Sequence, residues 1–348
     1  MNSIPTDIGT HVEKDADAII RVCSYHRRDF DLVVVRSRPH DMQSVQTSLQ
    51  AAFGTLPTAN LGIFDHLPLE LMFLVLRNLD IRSFFHFRQI NRRARVLSTG
   101  LYEYQLVSKH GLEGLRGLLR AGLAHCFTIV DLYRPLVTDK CSTCSGFGGF
   151  LFLFTAERCC FDCLQSSAHY RVLPPSAFAK LAHISPGRLL HLSGPTLQTV
   201  PGTYNMMDTP ARRPKHLILE EKATQMLLAA KAINQDATRN LRIRREQPEQ
   251  RLMAATAYPC YSLENAKLER GVSCKGCQVR LELLRGDSHL LARDRTFSTQ
   301  GFLSHFTACV EAQQIWAESE EGTRPVNEPE LTRRCGYFTP FASDGLPR

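Results

Sequence analysis

Nowhere in the 348 residues does an apolar run approach the length that a membrane-spanning helix needs, so the sequence gives a bilayer-embedded reading no support. The opening stretch, MNSIPTDIGTHVEKDADA, is acidic and polar and lacks the basic start and apolar centre of a secretory signal. A cytoplasmic and/or nuclear address is the expectation that follows. Paired carboxylates, a phosphate-cradling loop and a nucleophile motif are all missing, so an enzyme is not expected. No internal repeat recurs at solenoid or propeller periods, which excludes stacked-repeat architectures. Charge of one sign is also scarce in any one place. The net +8 comes from basic residues interleaved with acids, and nucleic acid is disfavoured as a partner.

What is plentiful is cysteine, twelve in a composition otherwise ordinary for a globular protein, with 43% hydrophobic and 22% charged residues. A reducing compartment does not sustain a disulfide framework, so clustering must explain them. Cys141-Ser-Thr-Cys144 and Cys160-Phe-Asp-Cys163 are two knuckles separated by the glycine-rich SGFGG and a strand-like FLFLF. A C-x2-C turn aims two thiolates at one tetrahedral ion, and two such turns joined by a hairpin match structural zinc spacing. Cys159 competes with Cys160 for the third position; Cys160 is preferred because it completes a second knuckle.

A second set follows. Cys274-Lys-Gly-Cys277 forms another knuckle, in which Gly276 supplies the freedom of a tight turn, and VRLELLRGDSHLL reads as hairpin-like. A helix capped by Ser298 and running to Trp316 then carries His305 and Cys309, four apart and hence on one side. Two structural zinc ions are expected, one at Cys141, Cys144, Cys160 and Cys163, the other at Cys274, Cys277, His305 and Cys309. With all four positions filled by protein, neither leaves an opening for chemistry. Spacing alone leaves separate and interleaved pairings open, although the interval between Cys163 and Cys274 disfavours interleaving. Cys23, Cys126, Cys260 and Cys335 stand alone and read as small buried hydrophobes or idle thiols. Cys23 and His26 have metal-like spacing without a full ligand set.

Leu67 to Ser98, LPLELMFLVLRNLDIRSFFHFRQINRRARVLS, contains a helix that is apolar nearly all round: from Leu69 to Leu76 only Glu70 interrupts. One apolar stripe suffices for a surface helix, and one with more must be covered from a second side. Pro68 suits its first turn, and Asp80 and Asn91 read as caps of two further short helices. Leu67-Pro68, Glu70, Leu71, Val75 and Leu79, then Phe84, Ile90 and the run Arg92-Arg93-Ala94-Arg95, resemble an F-box. The resemblance implies docking on a Skp-type adaptor and, through it, on a cullin–RING ubiquitin ligase. It makes Leu67, Pro68, Glu70, Leu71, Val75, Leu79, Phe84 and Ile90 the partner-binding residues. Together with CSTCSGFGGFLFLFTAERCCFDCL, CKGC and the HFTAC helix, it is also similar to a broad group of filamentous-fungal F-box proteins, over roughly residues 60 to 316.

The expected architecture is α+β and mainly helical. A disordered start (1–15) precedes a small ββα unit (16–56) with strands at Ile19 to Cys23 and Leu32 to Val35. The F-box (61–100) comes next, then a zinc-stapled, loop-rich client-binding region with short hairpins (101–316), and a disordered tail (317–348). The run from Arg239 to Arg251 reads as a solvated surface. The expected function is a non-catalytic substrate receptor that brings a client protein to ubiquitination. The alternatives are a nucleic-acid-binding zinc protein and an F-box scaffold with no part in ubiquitin transfer.

Overall fold

The computed structural model describes residues 15–51, 60–204, 210–233, 249–284 and 286–337. Among them the chain is α+β and mainly helical, with short strands. The first element departs from the expected ββα unit. Ala16–Cys23 is a helix (α1) whose Ile19 and Cys23, one turn apart, face inward. Short apolar runs are ambiguous between the helical and strand periods, and here a distant partner decides. Ile19 and Cys23 join a core with Phe302, Phe306 and Ile315 near the other end of the chain. The strand β1 (Ser24–Tyr25) pairs antiparallel with Ser273–Cys274.

After α2 (Arg28–Leu32), Val33, Val34 and Val35 enter the main core, and the Val35 N–H donates to Ala255 O at 2.8 Å. Only an isolated parallel bridge to Thr256 forms there, not the second strand of a unit. The helix α3 (Pro39–Gln50) follows and supplies the helix of the expected unit. The segment is therefore shared between two cores.

Three helices come next: α4 (Leu69–Asn78), α5 (Ile81–Ile90) and α6 (Arg92–Gly100). Both expected caps are present, Asp80 Oδ1 accepting the Ser83 N–H at 3.0 Å and Asn91 Oδ1 the Ala94 N–H at 2.9 Å. The helices α7 (Tyr102–His110), α8 (Leu112–Arg120) and α9 (Ile129–Leu136) continue the layer, the last opened by a Thr128 capping box. The packet is welded to this layer. Ile81 N–H donates to Phe127 O at 2.7 Å, and the Phe84 and Tyr104 rings lie 5.1 Å apart. One core accordingly holds Met72 and Leu76 together with Phe150 and Leu151.

FLFLF supplies the central strand β2 (Phe150–Phe152), flanked antiparallel by β3 (Glu157–Cys159) and by Ala255–Ala257. Beyond α10 (Phe161–Ser166), a small lobe is built from β4 (Val172–Leu173), α11 (Pro175–Leu181), α12 (Pro186–Leu192), β5 (Leu197–Gln198), β6 (His216–Leu219) and α13 (Glu220–Ala229). Its strand order is β4-β6-β5, and Phe178, Leu189, Ile218 and Leu227 fill its core. Arg239, Arg242, Arg244 and Arg245 lie outside the described residues. Arg251, at the end of that run, is buried and donates to Leu164 O and Ser167 O, so it is no part of a solvated surface.

The third strand of the central sheet is β7 (Ala255–Ala257), and β8 (Ser273–Cys274) leads into α14 (Lys275–Leu284) and α15 (Asp287–Asp294). These two helices replace the expected hairpin. The VRLEL alternation has the strand period, but the inward positions are Cys277 and Gln278, which a helix can bury together. Then come α16 (Thr299–Phe306), capped by Ser298, α17 (Val310–Glu318) and α18 (Glu330–Arg333). The expectation of a disordered tail fails up to Tyr337. Glu328 pairs with the buried Lys275. Arg293 donates to Gly336 O, Asp29 N–H donates to Cys335 O, and Tyr337 is buried. Residues 338–348 lie outside the described residues, as do 1–14.

Candidate functional site

Cys141 and Cys144 occupy a turn closed by Cys141 N–H donating to Gly146 O at 2.6 Å and by the Lys140–Phe147 bridge. Cys160 caps α10, its sulfur accepting the Cys163 N–H at 3.3 Å. The sulfurs of Cys144 and Cys160 are 3.7 Å apart, and all four of the group lie within 4.8 Å of one another. A tetrahedral ion about 2.3 Å from each thiolate spaces sulfurs by roughly 3.8 Å, so the donor set fits such a metal without rearrangement. Cys159 is not in the group. It is the last residue of β3, fully buried in the main core, while its neighbour projects to the other side, as successive strand residues do.

Residues that the spacing argument did not single out hold this knuckle in place. Tyr170 Oη lies 2.9 Å from Ser142 Oγ and 3.0 Å from Thr143 Oγ1, the two residues between the first pair of cysteines. Arg158 is buried and donates to Pro135 O and Gly148 O, to Tyr258 O and to Pro259 O, joining the hairpin to β7. Only a fold could reveal either. Hydrogen bonding from Cys160, and then from the backbone N–H groups of Cys144 and Thr143, holds the Cys141 thiol down to about 4. Cys141 thus keeps thiolate character, which metal binding requires, while the hydrogen bond with Cys141 and burial push the Cys160 thiol up and burial pushes the Cys163 thiol up.

The second group takes Cys274 from the end of β8, Cys277 from the first turn of α14, His305 from the last turn of α16 and Cys309 from the start of α17. Cys274 and Cys309 sulfurs are 3.7 Å apart, and Cys277 Sγ is 3.4 Å from His305 Nε2. Hydrogen bonds from Cys274 and Cys277 hold the Cys309 sulfur far below the usual thiol range. The His305 ring stacks on Phe297 with centroids 4.5 Å apart, which fixes its plane.

Two expectations about this group are corrected. The helix from Ser298 to Trp316 is broken at Thr307–Cys309, so His305 and Cys309 meet across a turn and not along one face. Gln313 caps the break by donating to Phe306 O at 3.1 Å and Thr307 O at 2.8 Å. Gly276 is required for close approach and not for turn freedom: a Cβ there would lie 2.3 Å from Ala312 N. The two groups are separate, and each can hold one metal ion. Cys23 and His26 do not converge on a site. Cys23 Sγ donates to Ala312 O, while His26 bonds Asp31 and Gly271 O.

On α4, Met72 and Leu76 turn into the core, while Leu69 (50% exposed), Leu71 (48%), Leu74 (54%) and Val75 (43%) face outward. Leu67, Pro68 and Glu70 are exposed beside them, Leu79 is half-buried, and Ile90 is exposed at the end of α5. Phe84, expected on this face, is fully buried, because it shares the inner side of α5 with Ile81 and packs on Tyr104. Ile63 and Phe64, from the preceding turn Gly62–His66, are exposed and adjoin Leu67 in sequence, and their apolar character beside Leu67-Pro68 was the available clue.

Comparison with known proteins finds no match among curated proteins and none among solved structures. Residues 64–106 do match the family model of the F-box domain, a span that takes in α4, α5 and α6 and ends within α7, and the chain therefore carries an F-box domain.

Proposed function

We propose that this chain is a non-catalytic substrate receptor that docks on a Skp-type adaptor of a cullin–RING ubiquitin ligase and brings it a client protein. The observation that carries this reading is the outer face of α4, where Leu69, Leu71, Leu74 and Val75 stay about half-exposed among the described residues. Sealing the remaining surface of each such side chain contributes on the order of 1 kcal/mol, so several together make a docking helix for an apolar groove. Leu67, Pro68, Glu70 and Ile90 border that face, and Leu79 lies at its inner edge. Lysine attack on a ubiquitin thioester belongs to other subunits. This chain supplies proximity and orientation, for which the rigid joint between the F-box and the following helices is suited.

We further propose zinc as the metal of both cysteine groups, with Cys141, Cys144, Cys160 and Cys163 holding one ion and Cys274, Cys277, His305 and Cys309 the other. Four sulfurs in one group, and three sulfurs with an imidazole in the other, are the donor sets that this ion takes in structural sites. The ions would brace regions of short strands and turns and play no chemical part.

The test is capture of purified full-length chain by an immobilised Skp-type adaptor. Wild type is expected to be retained and Leu71→Asp combined with Val75→Asp to be lost, with far-UV circular dichroism unchanged. Equal retention of the folded double variant would remove the docking claim. Metal analysis of the same preparation is expected to give two zinc ions per chain.

A further inference from the structure

The two cysteine groups share the C-x2-C turn and differ in what covers it. In the second, Lys275 and Gly276 between the cysteines are buried, and α17 sits against the turn, so that a Cβ on Gly276 would lie 2.3 Å from Ala312 N. All three of its sulfur donors, Cys274, Cys277 and Cys309, are buried. In the first group Ser142, Thr143, Cys144 and Ser145 are exposed one after another. The residues beside Cys144 are threonine, serine and glycine, too small to cover its sulfur.

Oxidation selects a sulfur that is both solvent-accessible and thiolate-like, and it is fastest to a disulfide where a second thiolate stands beside the first. Cys144 and Cys126 are the exposed cysteines of this chain. Cys126 belongs to neither group, and its sulfur lies 3.3 Å from His125 Nε2. Cys144 has the half-buried Cys160 as a neighbour, sulfur to sulfur at 3.7 Å. Coordination to a metal would keep both of them as thiolates. The first group therefore presents an open, paired sulfur, and the second keeps its three covered.

We propose that Cys144 is an oxidation site, through which a peroxide opens the first group by pairing Cys144 with Cys160 while the second group stays intact. The inference rests on the reading above that the cysteine groups hold metal. The Cys144 thiolate attacks one oxygen of hydrogen peroxide; the O–O bond breaks, an S–O bond forms and hydroxide departs, leaving a sulfenic acid. The Cys160 thiolate then attacks the Cys144 sulfur, an S–S bond replaces the S–O bond, and a second hydroxide departs. Peroxide gains two electrons and each sulfur loses one. Cys141 and Cys163 are left as two donors where a structural site needs four. The sulfur that accepts the Cys163 N–H at the start of α10 is consumed in the same step, so the hairpin and the helix loosen together. A dithiol reverses the pairing.

The experiment exposes the purified full chain to hydrogen peroxide, follows metal release with a chromogenic chelator and maps disulfides by mass spectrometry. Wild type is expected to release one of its two zinc ions, to show Cys144–Cys160 as its first disulfide, and to recover the ion when dithiothreitol and zinc are added. Cys126→Ser is expected to behave as wild type. Cys144→His, which keeps a three-sulfur, one-imidazole donor set, is expected to hold both ions under the same exposure. The disulfide map of wild type decides the matter even where Cys144→His fails to load. Retention of both ions, release of both together, or a first disulfide that omits Cys144 would overturn the proposal. A chain that carries no metal as purified, yet forms Cys144–Cys160 ahead of every other pairing, would remove the zinc reading and leave the oxidation site standing.

Discussion

Cys159 and Cys160 are neighbours in sequence and opposites in environment: the first is sealed in the core behind β2, the second caps α10 with its sulfur 3.7 Å from that of Cys144. The difference gives two serine variants distinct expected outcomes. Cys160→Ser should drop the metal content by one ion per chain and destabilise the hairpin, since a structural site supplies folding energy on the order of 10 kcal/mol in small zinc modules. Cys159→Ser should keep both ions. It buries a hydroxyl in an apolar setting at about 1–3 kcal/mol. Metal analysis alongside urea unfolding separates them, and metal loss in Cys159→Ser alone would reverse the assignment.

A similar separation exists along α4. Met72 is buried and Leu71 faces outward. Met72→Ala should cost about 2–5 kcal/mol of stability, the usual range for emptying a core position. Leu71→Ala should change stability by roughly 0.5 kcal/mol or less and still weaken adaptor capture. Equal effects of the two on unfolding would place both in the core and leave α4 without a spare face.

His26 gives a prediction in pH. Its Nε2 lies 2.8 Å from Asp31 Oδ2, and this hydrogen bond, against the opposing effect of burial, raises the ring's pKa above its ordinary 6.5. The folded state therefore holds the proton more tightly than the unfolded one. The resulting stabilisation is fully present below the unfolded value and is lost as pH rises through the raised folded value. The pair is partly exposed, so the effect is small. The melting-temperature gap between wild type and His26→Gln should be widest near about pH 6 and close towards about pH 8.5. A gap that widens on the alkaline side would contradict the pairing.

The parts of this molecule legible in the sequence are those set by short-range chemistry. The caps at Asp80, Asn91 and Ser298 were readable because each needs only a side chain and the next turn. The cysteine knuckles were readable for the same reason, and they gather the residues expected of them. What escaped was decided by distant contacts. Ala16–Cys23 is a helix because its inner face meets α16 and α17. Gly276 owes its identity to Ala312, and Phe84 turns inward because Tyr104 waits there. The segment up to Tyr337 read as disordered because the buried residues that hold it, Asp29 and Arg293, lie far away in sequence.

Gly336 tests that last point. Its φ is +98°, and a Cβ there would lie 2.2 Å from Asp29 Oδ1 and 2.5 Å from Arg27 Nε. Asp29 and Arg27 are a fully buried ion pair, and Arg293 donates to the Gly336 carbonyl. Gly336→Ala must therefore either strain the backbone or push the pair apart, and breaking a buried pair costs about 3–5 kcal/mol. Loss of about 3 kcal/mol in denaturant unfolding is expected, with faster amide exchange at Asp29, whose N–H donates to Cys335 O. Because that contact ties the end of the chain to α2, and Arg293 ties it to α15, a loss below about 1 kcal/mol would mean that the C-terminal segment rests on the fold without bracing it.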